Sequence, residues 1–353
     1  MTQERVRWGL LSTARINERL IPAIRASARC ELVAVGSHGG REKAQQYAAK
    51  WNIPRAHGSY ESLLADPNVD AVYISLPNAL HAEWAVKAAE AKKHILCEKP
   101  LALTVAEVDR MAQAAERHGV VLQEAVMMRY HPQTIELRKR LADGVIGDVR
   151  LIRGVFTFTL ARPGDIRLDP ALGGGSIWDL GSYPVSFMRT MLRADPVEVH
   201  GWKTTGNKGS GVDLSFSGQM RFAGGTLTQF FSSFEAVPQA DVDLIGSAGR
   251  IHLDLPYLNK VGVSSHVRIE RTGEHRARGT FSDGVSQFDE ETIAYENVNG
   301  YQHEIDALVA CILDGARPLV PLADSRGNVA TLEALCMSAR EGRAVRLEGG
   351  LTP

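Results

Sequence analysis

In the first third of the chain, short continuous apolar runs alternate with segments whose apolar residues recur at helical spacing. Val6–Leu11 is the first run. After it, Ile16, Leu20, Ile21 and Ile24 fall on one side of a helix, with Pro22 expected to kink that helix or to lie in its true first turn. The pattern then predicts a strand over 31–37, a helix over Arg41–Trp51, a strand over 71–76, a helix over 78–92 and a strand beginning at His94. Thr104 is placed to cap a helix running to His118, with Glu107 completing a capping box, and a last strand is expected over 120–126. Strands that alternate with helices in this way form a parallel sheet covered on both faces.

Beyond Pro132, which should open a helix to Leu141, the pattern changes. Longer strands are predicted over 149–159, 197–204, 214–222, 226–234 and 241–245, with turns at 223–225 and 246–249. Their succession suggests antiparallel pairing, and the Leu214, Phe216 and Thr226, Thr228 alternation suggests one packed and one more open face. The polar stretch 271–288 reads as an exposed excursion. Two tail helices, 301–314 and 324–340, are separated by Pro318 and Pro321, and Ile305, Leu308 and Val309 have helical spacing. The first of them reads either as a capped surface helix or as one whose start, Tyr301 to Glu304, lines a substrate pocket. The fold class is therefore α/β: a doubly wound Rossmann-type domain over 1–126, then an α+β domain over 127–353 with an open, mainly antiparallel sheet.

Composition narrows the partners. The 353 residues carry 40 basic and 41 acidic side chains, a formal charge of −1, so nothing points to nucleic acid or to an anionic membrane surface. The four cysteines, Cys30, Cys97, Cys311 and Cys336, have neither disulfide-framework nor metal-ligand spacing, which suits a reducing cytoplasm. No apolar run approaches a membrane span, and the first residues lack a signal peptide's apolar region. Small molecules and further copies of the chain remain as partners.

Candidate chemistry gathers where the predicted strands end. The strand from His94 delivers Glu98-Lys99-Pro100 at its carboxyl end, where open α/β sheets bind ligands, and makes Lys99 a catalytic candidate. In the turn after the first strand, Gly9, Ser12, Thr13, Ala14, Arg15 and Ile16 lie where a dinucleotide's pyrophosphate meets a helix amino end; Ser12 and Ala14 replace two glycines of the usual fingerprint. At the end of the second strand, Ser37, His38 and Arg41 stand where an NAD site usually places an acid. A hydroxyl beside a guanidinium suits a 2′-phosphate and favours NADP over NAD. Leu76, Pro77, Asn78 and His81 follow a further strand end. Asn78 is also a natural helix cap, and His81 either meets the nicotinamide or packs internally.

A second constellation lies in Gly173-Gly174-Gly175-Ser176-Ile177-Trp178-Asp179-Leu180-Gly181-Ser182-Tyr183-Pro184. It reads as a tight loop ending in an N-cap at Ser176, with Asp179 and Tyr183 one turn apart on a helix. Taken with Glu98-Lys99-Pro100, it resembles the Gfo/Idh/MocA oxidoreductase family over nearly the whole chain. Tyr183, where most relatives have histidine, and the 8–14 turn resemble the branch with xylose, dimeric dihydrodiol and glucose–fructose oxidoreductases.

That resemblance implies hydride transfer between NAD(P) and a secondary hydroxyl or ketone of a sugar or related polyol. Tyr183 would be the acid/base and Lys99 its electrostatic partner, with Asp179 orienting the group, Glu98 anchoring the motif and Lys99–Pro100 cis. Arg129, Tyr130, His131, Arg162 and Trp178 are expected to contact substrate, with Arg167 a further loop candidate. The resemblance also implies a homodimer or homotetramer formed through the outer face of the second sheet. Two other readings remain open: a nucleotide-recycling glycoside cleavage by oxidation and elimination, and a non-catalytic nucleotide sensor.

Overall fold

The computed structural model describes residues 5–162, 164–206, 211–258, 262–272 and 288–347; most of the predicted 271–288 excursion lies outside them. In chain order the elements are β1 (Val6–Leu11), α1 (Asn17–Ala26), β2 (Cys30–Gly36), α2 (Arg41–Trp51), β3 (Arg55–His57), α3 (Tyr60–Leu64) and β4 (Ala71–Ile74). They continue with α4 (His81–Glu90), β5 (His94–Glu98), α5 (Val105–His118), β6 (Leu122–Ala125), α6 (Pro132–Ala142), β7 (Val149–Thr157) and α7 (Ser182–Leu192). Strands β8 (Pro196–Thr204), β9 (Ser215–Phe222), β10 (Leu227–Ser233), β11 (Gln239–Gly246), β12 (Gly249–Asp254), β13 (Ser265–Thr272) and β14 (Phe288–Tyr295) follow. Helices α8 (Gly300–Asp314) and α9 (Leu322–Glu341) and the short β15 (Val345–Arg346) complete the chain.

The chain divides into two compact units, and the division is not linear. Met1–Tyr130, Ala171–Gly173 and Asn299–Val329 form one unit; His131–Pro170, Gly174–Val298 and Ala330–Pro353 form the other. A boundary drawn once along the sequence misses the return of α8 to the first unit.

In the first unit six strands pair in the order β3-β2-β1-β4-β5-β6, all parallel. Apolar continuity explains why: alternate residues of one strand feed two cores. Val72, Ile74, Ile95 and Cys97 pack with α3, α4 and α5 on one face. Trp8, Leu10, Tyr73 and Leu96 pack with α1 and with Ile305, Leu308 and Val309 of α8 on the other. So α8 is not a surface helix; its apolar stripe closes a sheet face. The capping box on α5 forms as read, with Thr104 Oγ1 accepting from the Glu107 N–H at 3.2 Å and Glu107 Oε2 from the Thr104 N–H at 3.1 Å. Pro22 lies inside α1 rather than in its first turn.

The second unit is built on nine strands in the order β14-β13-β12-β11-β7-β10-β9-β8-β15. Neighbours are antiparallel except β7 and β10, which pair in parallel, so the sheet is mainly antiparallel as expected. The chain leaves β7, forms α7, β8 and β9, and only then returns as β10, so a direct hairpin is not available. One face is packed, with Phe216, Met220, Phe222 and Phe230 buried, while Trp202, Leu227 and Phe231 are 52%, 52% and 38% exposed. Strands β12 to β14 are absent from the sequence reading, although β13 alternates buried residues such as Val267 and Ile269 with exposed ones.

Candidate functional site

At the carboxyl edge of the parallel sheet, β1 and β4 are neighbours although far apart in sequence, which is the topological switch point where ligands bind in open α/β folds. The turn after β1 is held by a buried polar network. Ser12 Oγ lies 2.7 Å from Ser75 Oγ and accepts from the Ala14 N–H at 3.0 Å; Asn17 Nδ2 donates to Ser12 O at 2.8 Å, and Ser75 Oγ donates to Asn17 Oδ1 at 2.7 Å. Asn17 and Ser75 escape the sequence reading, because only the pairing of β1 with β4 brings Ser75 there. The first N–H groups of α1 turn back onto the Ala14, Arg15 and Ile16 carbonyls, so an anion at this end meets the turn 12–16 itself. Gly9 lies inside β1, where a Cβ would come within 3.0 Å of Leu63.

After β2, Ser37 is buried and its Oγ accepts from the Gly39 N–H at 3.1 Å. His38 and Arg41 are exposed, and Lys43 lies against Gly39, whose added Cβ would come within 2.8 Å of it. This basic edge fits a phosphate on the adenosine ribose, and no acid stands in the 37–41 turn to bind a free 2′-hydroxyl. The first unit thus fits a dinucleotide at both of its polar contacts.

After β4, Asn78 and His81 both bind the protein's own main chain. Asn78 does not cap α4: it begins a short 3-10 turn, and its Nδ2 donates to Gly173 O at 2.9 Å. His81 is fully buried, with Nδ1 2.9 Å from Pro100 O and Nε2 2.9 Å from Leu76 O, so neither ring nitrogen is left to meet a nicotinamide. Burial lowers its pKa, against the two carbonyls. Leu76 is buried and Pro77 half-buried beside it.

The Lys99–Pro100 bond is cis and Lys99 is half-buried. Glu98 anchors the turn, accepting from the Lys99 N–H through Oε2 at 3.2 Å and from the Tyr73 hydroxyl through Oε1. Below it lie two buried carboxyls, Glu124 and Glu304. Burial pushes Glu124 up to about 7, against hydrogen bonds that favour its charge, and pushes Glu304 well above the usual carboxylate range, with Glu98 and Glu124 adding to the shift. Glu304 lies in the helix start singled out in the sequence, whereas Glu124 carries no such signal, and both are buried.

Arg129, Tyr130 and His131 are all buried. Arg129 pairs with Asp324 at 2.6 Å, and His131 Nδ1 accepts from the Gln133 N–H to cap α6. Arg129 and His131 thus each have a structural partner within the protein.

In the second unit, the glycine-rich loop is required by close packing. A Cβ on Gly174 would come within 2.5 Å of Arg167 O, and one on Gly175, whose φ is +124°, within 2.4 Å of Asp213 Oδ1. Ser176 holds the N-cap position but its side chain does not cap the turn. Its backbone is already helical, and its Oγ donates to Asp213 Oδ2 at 2.7 Å. Asp213 is the cap, accepting also from the Ile177 N–H at 2.8 Å. The segment Ile177–Gly181 is a π-turn leading into α7. Pro184 has no N–H for the Leu180 carbonyl, so the α-helical ladder cannot extend back through it.

Asp179 lies in this turn and accepts from Arg167 Nε at 2.6 Å; Arg167 Nη1 is also 3.3 Å from Asp165 Oδ1. Arg167 is thus clamped between two carboxylates, with Asp179 first in raising its pKa. Arg162 is exposed, 3.9 Å from Asp165, and Trp178 is half-buried. Tyr183 is half-buried among aromatic rings, edge-on to Phe156 at 5.3 Å and 5.9 Å from Tyr257. Among the described residues, no group of three or more His, Cys, Asp and Glu is placed to hold a metal ion.

A six-stranded doubly wound sheet with a basic edge and a lysine at a strand end defines a dinucleotide-binding oxidoreductase. Residues 6–126 match the oxidoreductase family with an NAD-binding Rossmann fold, and residues 134–252 match the GFO/IDH/MocA C-terminal domain. The chain belongs to the Gfo/Idh/MocA oxidoreductase family. D-xylose 1-dehydrogenase (NADP(+)) 2 of Haloferax volcanii is 35% identical over 343 residues, 97% of this chain and 99% of the relative. Among solved structures, a 3-ketoreductase from Actinomadura kijaniata in complex with NADP and TDP-benzene is 26% identical with a TM-score of 0.84, covering 95% of this chain and 98% of that one. The aldose-aldose oxidoreductase of Caulobacter crescentus is 27% identical with a TM-score of 0.85, covering 98% and 100%.

Proposed function

We propose that the protein transfers hydride between NADP and a secondary hydroxyl or ketone of a sugar or related polyol. The observation that carries this reading is Lys99, held at the carboxyl end of β5 in a turn whose main chain is fastened by side chains. The pyrophosphate meets the 12–16 turn, and the 2′-phosphate meets Arg41 and Lys43. The nicotinamide supplies the hydride acceptor or donor.

Tyr183 takes the hydroxyl proton at Oη during oxidation and returns it during reduction. An isolated phenol, with a pKa of about 10, is a poor base at neutral pH, so a cation is needed to stabilise the phenolate, and Lys99 is that cation. Asp179, tied to Arg167, orients substrate hydroxyls, and Trp178 and Arg162 complete the contacts from the second unit. Copies of the chain associate through the sheet face that exposes Trp202, Leu227 and Phe231. The similarity to a xylose dehydrogenase, a ketoreductase and an aldose-aldose oxidoreductase supports the substrate class.

The test is reduction of NADP and NAD across a panel of aldoses, inositols and dihydrodiols. Wild-type turnover, with losses of about 100-fold or more in Tyr183→Phe and Lys99→Ala, is the expected result. Tight nucleotide binding without turnover on any substrate overturns it in favour of a sensor, and glycoside cleavage without net cofactor change favours oxidation and elimination.

A further inference from the structure

Three polar groups of the main chain over residues 99–101 are each held by a side chain. Glu98 Oε2 accepts from the Lys99 N–H at 3.2 Å, His81 Nδ1 lies 2.9 Å from Pro100 O, and Glu124 Oε1 accepts from the Leu101 N–H at 3.0 Å. The third contact is the unusual one. Glu124 stands opposite Cys97 in the β5–β6 pairing and is only 2% exposed, so a carboxyl has been taken out of water to hold the Leu101 amide, with the Ser325 side chain beside it. A neutral acceptor would satisfy that amide without the cost of desolvating a charge. What the carboxylate adds is strength: an ionised acceptor binds an N–H about twice as strongly as a neutral one.

We propose that Glu124 is a positioning residue for Lys99: through the Leu101 amide its carboxylate fixes the far end of the turn, and with it the direction of the ammonium. The proposal rests on the role given to Lys99 above. The groups facing Glu124 are Cys97 on β5, Arg129 and Tyr130 beyond β6, Glu304 on α8, and Asp324 and Ser325 on α9. Arg129 is the cation among them and is shared with Asp324 at 2.6 Å. Glu304 is itself pushed well above the usual carboxylate range, by its burial first and then by Glu98 and Glu124. Because burial pushes Glu124 up to about 7, the hold on Leu101 weakens within the ordinary assay range as the pH falls.

The experiment compares the wild-type full chain with Glu124→Gln, Glu124→Ala and Lys99→Ala. Steady-state kinetics across pH about 5 to 9 are read beside the proton chemical shift of the Leu101 amide. In the wild type, the amide shift and kcat should titrate together, with kcat falling on the acid side. Glu124→Gln keeps an acceptor but cannot ionise, so both titrations should vanish. Glu124→Ala should lower kcat about 100-fold while the KM for nucleotide stays within about twofold. An unchanged acid limb in Glu124→Gln, or wild-type kcat in Glu124→Ala, overturns the proposal; if the alanine variant does not fold, the glutamine variant decides. Full turnover by Lys99→Ala sinks the reading of Lys99 and the proposal with it, whereas loss there beside wild-type behaviour in both Glu124 variants sinks the proposal alone.

Discussion

Two carboxyl groups of the first unit occupy positions that the surrounding pattern reserves for apolar side chains. Glu124 titrates at about 7 in the folded chain against an ordinary value of 4.5, so the folded state keeps a proton that the unfolded state has already released. Stability linked to this group is present below the unfolded value and is lost as pH rises through the folded one. Glu304 acts in the same direction. His81 acts oppositely, since burial lowers its pKa and acid favours its exposure. Comparing unfolding free energies of wild type and Glu124→Gln isolates the first effect. Between pH about 5 and 8 the wild type should lose up to about 3 kcal/mol relative to the variant. Parallel curves would show that Glu124 has an ordinary carboxylate pKa.

At the scale of elements, the segment carrying Asp179 and Tyr183 depends on a residue far from it in sequence. Asp213 binds the Ser176 hydroxyl and the Ile177 N–H and occupies the space a Cβ on Gly175 would need. Asp213→Ala leaves the buried Ile177 N–H without this acceptor and the Ser176 hydroxyl with Ser232 alone, which should cost about 1–3 kcal/mol in urea unfolding. Asp213→Asn retains an acceptor and should lose less; equal losses in the two variants would assign the effect to side-chain volume. The glycine run is visible in the sequence and so is the helix after it. The cap is not, because nothing local links 213 to 176, and a serine at a helix start is by local rules the better candidate. The same limit hides Asn17 and Ser75.

For the whole molecule, the sheet of the second unit presents Trp202, Leu227 and Phe231 on one face, the surface proposed above for association. Leu227→Asp combined with Phe231→Asp should convert an assembly of two or four chains to single chains in light scattering. It should leave the far-ultraviolet circular dichroism unchanged, since both side chains point away from the packed core. A wild-type protein that already runs as a single chain would contradict the association.

Period and chain chemistry were enough for the parallel sheet, the α5 capping box and the placing of Lys99 at a strand end, and the family motif was enough for the cis Lys99–Pro100 bond. Each of these depends on neighbours within a few residues or on a repeating apolar spacing, and such information is local. Other features required the folded chain: His81 as a buried tie rather than a nicotinamide contact, Asp213 as a remote cap, α8 closing a sheet face and β7 beside β10 in parallel. They join residues up to a few hundred positions apart, and the burial or pairing of such a side chain is set by what arrives against it, which no local pattern encodes.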